Sequence, residues 1–234
     1  MAAKLDSSDT SSDTDSESDT DSDDSSEVCN VVYTKGESKI PFKIWLALNR
    51  PSETRRDEGY RWVAVLRPEG QKTDDDETKD LHGLKESFRH HILNNKPVNY
   101  QIIKDLAIKY NVLGGKWLHF TSQGGKVDHL WSLIASSVIK DDIPCYAAKV
   151  SAHDDDDNSH VICIYNNDFT NNDEVLDAEK AIRNMGLKGR LMYKPDVYTY
   201  LGIYAKNKWK IKPFMMMISQ YSLNTGSSVI ESFV

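Results

Sequence analysis

Residues 6–27 contain only Asp, Glu, Ser and Thr: ten acids, nine serines and three threonines. No side chain there can be buried to offset chain entropy, and like charges repel along the segment. This predicts a disordered acidic tail over residues 1–27 and confines any core to residues 28–234. The charge divides at the same point. Residues 1–27 hold ten acids and Lys4, net −9, whereas the remaining 207 residues hold 26 acids and 28 Lys plus Arg, net +2. The overall −7 is therefore a property of the tail.

The remainder is long enough for a single domain with a sizeable core. No apolar run approaches the roughly 18–20 residues needed to span a bilayer, so no membrane association is expected. There is no apolar signal region at the N-terminus. The three cysteines, Cys29, Cys145 and Cys163, form no CxxC pair and no metal-ligand spacing. Cys145 and Cys163 sit in apolar, strand-like runs and are expected as buried thiols. This points to a reducing cytoplasmic or nuclear setting.

Periodicity organises the domain. Residues 41–49 read as a short helix or a strand, stopped by Pro51, and residues 60–67 (YRWVAVLR) as a strand. Leu81, Leu84, Phe88 and Ile92 recur at helical spacing, and Ile102, Ile103, Leu106, Ala107 and Tyr110 mark a second helix. Residues 116–121 form a strand. Val127, Leu130, Trp131, Ile134, Ala135 and Val138 then make one apolar helical stripe. Residues 145–151 and 160–166 are expected as an antiparallel pair joined by an acidic loop. Asn172 is placed to cap a helix running to Met185, with Asp173 and Glu174 at its positive end and Gly186 just past it. Residues 190–193, 197–204 and 208–213 are expected as closing strands. The predicted class is α+β, an antiparallel sheet with helices on one face.

The segment KPDVYTYLGIY (194–204) places Tyr198, Tyr200 and Tyr204 close to Tyr193. Buried phenols need hydrogen-bond partners, so such a segment is expected to be half exposed or to line a pocket. GGKWLHF, VDHLW, VICIYNNDFT and KPDVYTYLGIY together closely resemble the basophilic leukaemia-expressed protein family, over roughly residues 41–213. That family in turn resembles the cap-binding translation initiation factor. The resemblance implies a curved antiparallel sheet backed by helices. Trp62 falls where the cap binder's first stacking tryptophan would be. Leu106 and Ala107 stand where its second tryptophan and guanine-binding acid would be. Tyr165 replaces a further tryptophan, and Ser151 and Val161 occupy basic phosphate positions. The resemblance therefore carries the fold and one stacking residue, not cap recognition.

Other motifs are weaker. The GGK triplets 114–116 and 124–126 lack the GxxxxGK[ST] of a phosphate loop and are better explained as turns. Asp128 and His129 in a first helical turn, His90 and His91 on a helix, and the acidic run 154–157 are each better explained structurally than as catalytic or metal sites. Lys206, Lys208, Lys210 and Lys212 alternate with Asn207, Trp209 and Ile211. On a strand this would give one cationic face, serving either edge protection or polyanion binding. Thr10, Ser12, Thr14, Ser16, Ser18 and Thr20 each have an acid three positions on, the pattern of an acidophilic kinase substrate. The expected function is non-enzymatic and needs no cofactor or metal. It is binding of RNA or a nucleotide-like ligand on the concave sheet face by Trp62, Lys116, Tyr165, Lys194, Tyr198 and Tyr200. The alternative is a protein-interaction adaptor whose phosphorylatable tail engages basic partners.

Overall fold

The computed structural model describes residues 29–70, 79–212 and 217–232. The acidic tail and its six candidate phosphorylation sites lie outside these residues. The elements run β1 (Cys29–Thr34), α1 (Phe42–Leu48), β2 (Tyr60–Leu66), α2 (Leu81–Leu93), α3 (Tyr100–Lys109), β3 (Gly115–Ser122), α4 (Gly125–Lys140), β4 (Ala147–Ser151), β5 (Ser159–Asn166), α5 (Asn172–Asn184), β6 (Leu191–Pro195), α6 (Asp196–Tyr200), β7 (Met217–Ser222) and β8 (Ser227–Ser232). Among the described residues, eight strands form one open sheet in the order β1-β2-β4-β5-β3-β6-β7-β8. Only the β1–β2 pair is parallel. The fold is thus α+β with a mostly antiparallel sheet. Among the described residues no helix is long and apolar enough to cross a membrane.

The two-residue period of a strand sorts the sheet into two faces. On one, Val63 faces Val150, Val150 faces Ile162, Ile164 faces Trp117, and Trp117 faces Tyr193. All of these are fully buried. The α4 stripe Val127, Trp131, Ile134, Ala135 and Val138 is buried as well, and α4 packs across β2, β3, β4 and β5. Leu130, counted in that stripe from its spacing, is only half-buried. Helix α5 covers the same face through Val175, Ala178 and Ile182, and the Trp117 indole donates to the Val175 carbonyl at 3.1 Å. The Tyr193 phenol reaches Asn166 Oδ1 at 2.6 Å through the space left by Gly115, where a Cβ would collide with the phenol oxygen.

The cap of α5 is Asn171, one residue before the expected Asn172; its Oδ1 accepts from the Glu174 amide at 3.3 Å. Glu174 in turn accepts from the Asn167 and Asp168 amides, tying the helix to the end of β5. At the other end of α5, Arg183 donates to Glu179 (2.8 Å), to the Leu187 and Gly189 carbonyls, and to both the carbonyl and the hydroxyl of Ser219 on β7. The Ser219 hydroxyl also donates to Glu179.

Two expected strands are not strands. Residues 197–204 open with the helix α6, entered from Pro195 and with Asp196 in its first turn. Val197 and Tyr198 are buried and Leu201 is half-buried, a helical rather than an alternating pattern. Of the strand expected over 208–213, Lys208 and Trp209 form a turn, residues 210–212 have no regular structure, and Pro213 lies outside the described residues. Lys210 has φ +58°, incompatible with extended backbone. In place of a ladder, the Asn207 side chain donates to the Tyr204 and Ile211 carbonyls and accepts from the Ile211 amide. Strands β1, β7 and β8 were not anticipated.

Candidate functional site

On the face opposite α4 and α5 the alternate residues of five strands come together: Trp62 on β2, Lys149 on β4, Tyr165 on β5, Lys116 on β3 and Lys194 on β6. The register sets Lys116 directly across from Tyr165 on one side and from Lys194 on the other. Both lysines are nearly sealed from solvent, at 9% and 4% exposure, whereas Trp62 and Tyr165 are half-buried.

Each ammonium group sits against an aromatic ring. Lys149 Nζ lies 3.8 Å from the Trp62 ring centre and 5.9 Å from that of Tyr165. Lys116 Nζ lies 5.3 Å from Tyr165, and Lys194 Nζ 4.2 Å from Tyr204. Lys116 also donates to Asp196 Oδ1 at 3.0 Å. Asp196 is positioned by the start of α6, where its amide donates to the Gly114 carbonyl. At the margin, Lys79 donates to the Tyr200 phenol at 3.2 Å and lies 5.0 Å from its ring.

Burial, the largest single influence, would by itself lower the Lys116 pKa; the Asp196 carboxylate, with the nearby Cys163 and Tyr200, outweighs it and holds the ammonium above its ordinary value. Burial pushes the Tyr165 phenol well above its own. Both pKa values lie far above neutral pH, so Lys116 stays charged and Tyr165 stays a protonated, uncharged phenol. A general acid or base needs a pKa near the working pH. These two groups are suited to holding a ligand by charge and ring contact, not to moving protons.

Of the six residues expected at the site, Trp62, Lys116, Tyr165 and Lys194 share this face. Tyr200 lies at its edge, close enough to act electrostatically on Lys116 and Tyr165. Tyr198 does not line it: as part of α6 it turns into the hydrophobic core, fully buried. Sequence reasoning missed Lys149 and Asp196; Tyr204 was read as part of the half-exposed or pocket-lining segment but not counted among the binding residues. Lys149 had a signal, being the one charged residue in the AAKVS strand.

The cationic run does not form one face. Lys208 lies on one side of Trp209 and Lys210 and Lys212 on the other, while Lys206 is exposed and lines neither concavity. Asp128 is structural, accepting from the Ser52 amide (3.1 Å) and hydroxyl (2.6 Å). Gly124, with φ +86°, turns the chain into α4. The acidic hairpin tip is tied down by Arg56 on Asp154 and by Arg55 on Asp155.

The sequence profile of the family described as "Basophilic leukemia-expressed protein Bles03" matches residues 71–202. Among solved structures, the chain is similar to Caenorhabditis elegans eIF4E-3 in complex with the 4E-binding protein Mextli and cap analog. The identity is 18% and the TM-score 0.33, over 38% of this chain and 54% of that one. It is also similar to schistosome eIF4E complexed with m7GpppA and 4E-BP, at 16% identity and TM-score 0.35, over 43% and 56%. A third similar structure is Ascaris suum eIF4E-3 with m7G cap, at 18% and 0.31, over 36% and 52%. The chain spans little more than half the length of these proteins.

Proposed function

The chain belongs to the basophilic leukemia-expressed protein Bles03 family, and from that premise we propose that it is a non-enzymatic binding module whose sheet face takes RNA or a nucleotide-like ligand. The observation that carries this reading is the pair of opposed, buried lysines, Lys116 and Lys194. Like charges directly across a strand pair repel. Asp196 already offsets the Lys116 charge, and a phosphate at this pair would add charge-assisted hydrogen bonds.

The aromatic residues fit the rest of such a ligand. In the free protein Lys149 occupies one face of Trp62. A cation–π contact at a partly exposed site contributes about 0.5–2 kcal/mol, whereas a base stacked on an aromatic ring contributes about 1–3 kcal/mol. A base can therefore displace the ammonium, and the released Lys149 can follow the phosphate. Nothing in this reading requires a methylated guanine: Leu106 and Ala107 belong to α3, where Ala107 is buried in the core.

Titration of the full chain with adenosine and guanosine monophosphates and with a labelled oligouridylate, followed by tryptophan fluorescence and anisotropy, tests the proposal. Binding is expected to weaken with salt, with a slope near −0.7 per phosphate neutralised on a single strand. It is also expected to fall in Trp62→Ala and Lys194→Gln. Absence of binding to every one of these probes at low salt overturns it. The net −9 of residues 1–27 favours a second reading: an adaptor in a cytoplasmic or nuclear setting whose tail, once phosphorylated by an acidophilic kinase, engages basic partners.

A further inference from the structure

Beyond the edge of the sheet face, which Tyr200 marks, two concavities flank Trp209, and Tyr200 also lines the first. The first, about 290 Å³, has an apolar floor of Phe88, Ile92, Leu93 and Leu201. Its rim carries Lys85, Arg89 and Lys208. The second, about 370 Å³, is lined by Val98, Tyr100 and Ile211 and rimmed by Lys210 and Lys212. Trp209 is the ridge between them, half-buried and packed edge-on against Phe88 with ring centres 5.3 Å apart. The ridge is built rather than incidental: the Asn207 side chain fixes the turn on both sides of it, and the positive φ of Lys210 sends the chain from one groove to the other.

We propose that these two grooves form a docking surface for an acidic, apolar peptide segment of a partner protein, with one apolar side chain seated on each side of Trp209 and carboxylates meeting the rim. Charge complementarity selects the acid. Five cationic side chains line the grooves, and among the described lining residues there is no carboxylate. The floor selects the apolar anchors. Leu93, which lines the first groove together with Lys85, Arg89 and Lys208, is 70% exposed, a large apolar side chain beside charge, as at protein interaction sites.

Two other occupants fit less well. Single-stranded nucleic acid uses flat aromatic platforms for its bases, but the aromatic residues here alternate with aliphatic ones and are partly engaged: Lys79 lies 5.0 Å from the Tyr200 ring. Trp209 already meets Phe88 at its edge and Lys208 over its ring, at 5.1 Å. The acidic segment of this chain, residues 6–27, matches the rim but has no apolar residue to cover the floor.

The test compares three fluorescein-labelled probes on the full chain by anisotropy: the peptide Glu-Leu-Asp-Asp-Phe-Glu-Glu-Leu, a peptide of residues 6–27, and an oligouridylate. The acidic–apolar peptide is expected to bind about tenfold more tightly than the residue 6–27 peptide. It should lose about tenfold in affinity in Leu93→Glu, and as much in the double variant Arg89→Glu/Lys208→Glu. Leu93 and Lys208 are exposed, so these variants keep their fold. Any of three results overturns the proposal. In the first, the acidic–apolar peptide fails to bind at low salt. In the second, the two peptides bind equally, which makes the surface a site for charge alone. In the third, the oligouridylate binds and is the probe lost in Arg89→Glu/Lys208→Glu, which makes it a nucleic-acid site.

Discussion

Lys116 is held in a balance between burial, which disfavours its charge, and Asp196, which restores it. The two side chains are only 11% and 15% exposed. Removing one member of a buried pair strands the other charge and costs about 3–5 kcal/mol. Asp196→Ala is therefore expected to lower the free energy of unfolding by about 3 kcal/mol, read from a shift of the urea midpoint at unchanged slope. The double variant Asp196→Ala/Lys116→Met should recover part of that loss, because no charge is left stranded. A double variant less stable than Asp196→Ala would show that Lys116 contributes mainly through its packing. The same pair shows what a sequence conceals: KPD is visible as a turn, but only the β3–β6 register brings its aspartate to a lysine 80 positions earlier.

Among elements, α4 was legible because its apolar stripe runs for more than three turns, long enough for a 3.6 period to separate from a period of two, and α5 because Asn172, Asp173 and Glu174 mark its start and Gly186 its end. Segments of five to eight residues lack that length. VYTYLGIY satisfies both patterns, and the outcome follows from Pro195, whose fixed φ suits a helix entrance, and from Asp196 in the first turn. Lys206–Lys212 alternates perfectly as text, yet Asn207 bonds the local backbone and makes a turn. Strands β7 and β8 follow that turn in serine-rich sequence with weak apolar alternation. For the site, strand alternation was enough to place Trp62, Lys116, Tyr165 and Lys194 on one face, whereas Tyr198 was lost with the strand that carried it. Helix energetics divide between core and cap. Ile134→Ala in α4, fully buried against the sheet, is expected to cost about 2–5 kcal/mol. Asn171→Ala, which removes one capping acceptor, should cost about 1 kcal/mol. Denaturation of the two variants should preserve that order; a cap variant as costly as the core variant would mean that Asn171 also orders the Glu174 bonds to the β5 loop.

For the whole molecule, two buried histidines set an acid limit. His119 donates to the Arg190 carbonyl (3.0 Å) and His160 to the Ser151 carbonyl (2.8 Å), and burial lowers both pKa values. The unfolded chain takes up these protons near pH 6.5, whereas the folded one resists, so stability is fully present above that pH and falls as the pH drops through and below it. The urea midpoint should therefore be level from about pH 8 to 7 and decline from about 6.5 downward. His160→Gln should flatten that decline. A midpoint that holds or rises between pH 7 and 5 would contradict the assignment. The knot that joins α5 to β7 bears on a different clock, that of synthesis. Ser219 lies 40 residues after the Glu179 it bonds. A ribosome adding about 5–20 residues per second needs about 2–8 s to cover that interval. During it α5 already holds Glu179 and Arg183, while the serine that both require does not yet exist. From the completion of β6 until Ser219 is added, the nascent chain carries the Glu179–Arg183 pair beside the unpaired edge of β6, and a product stalled or truncated there would offer that edge to a neighbouring chain.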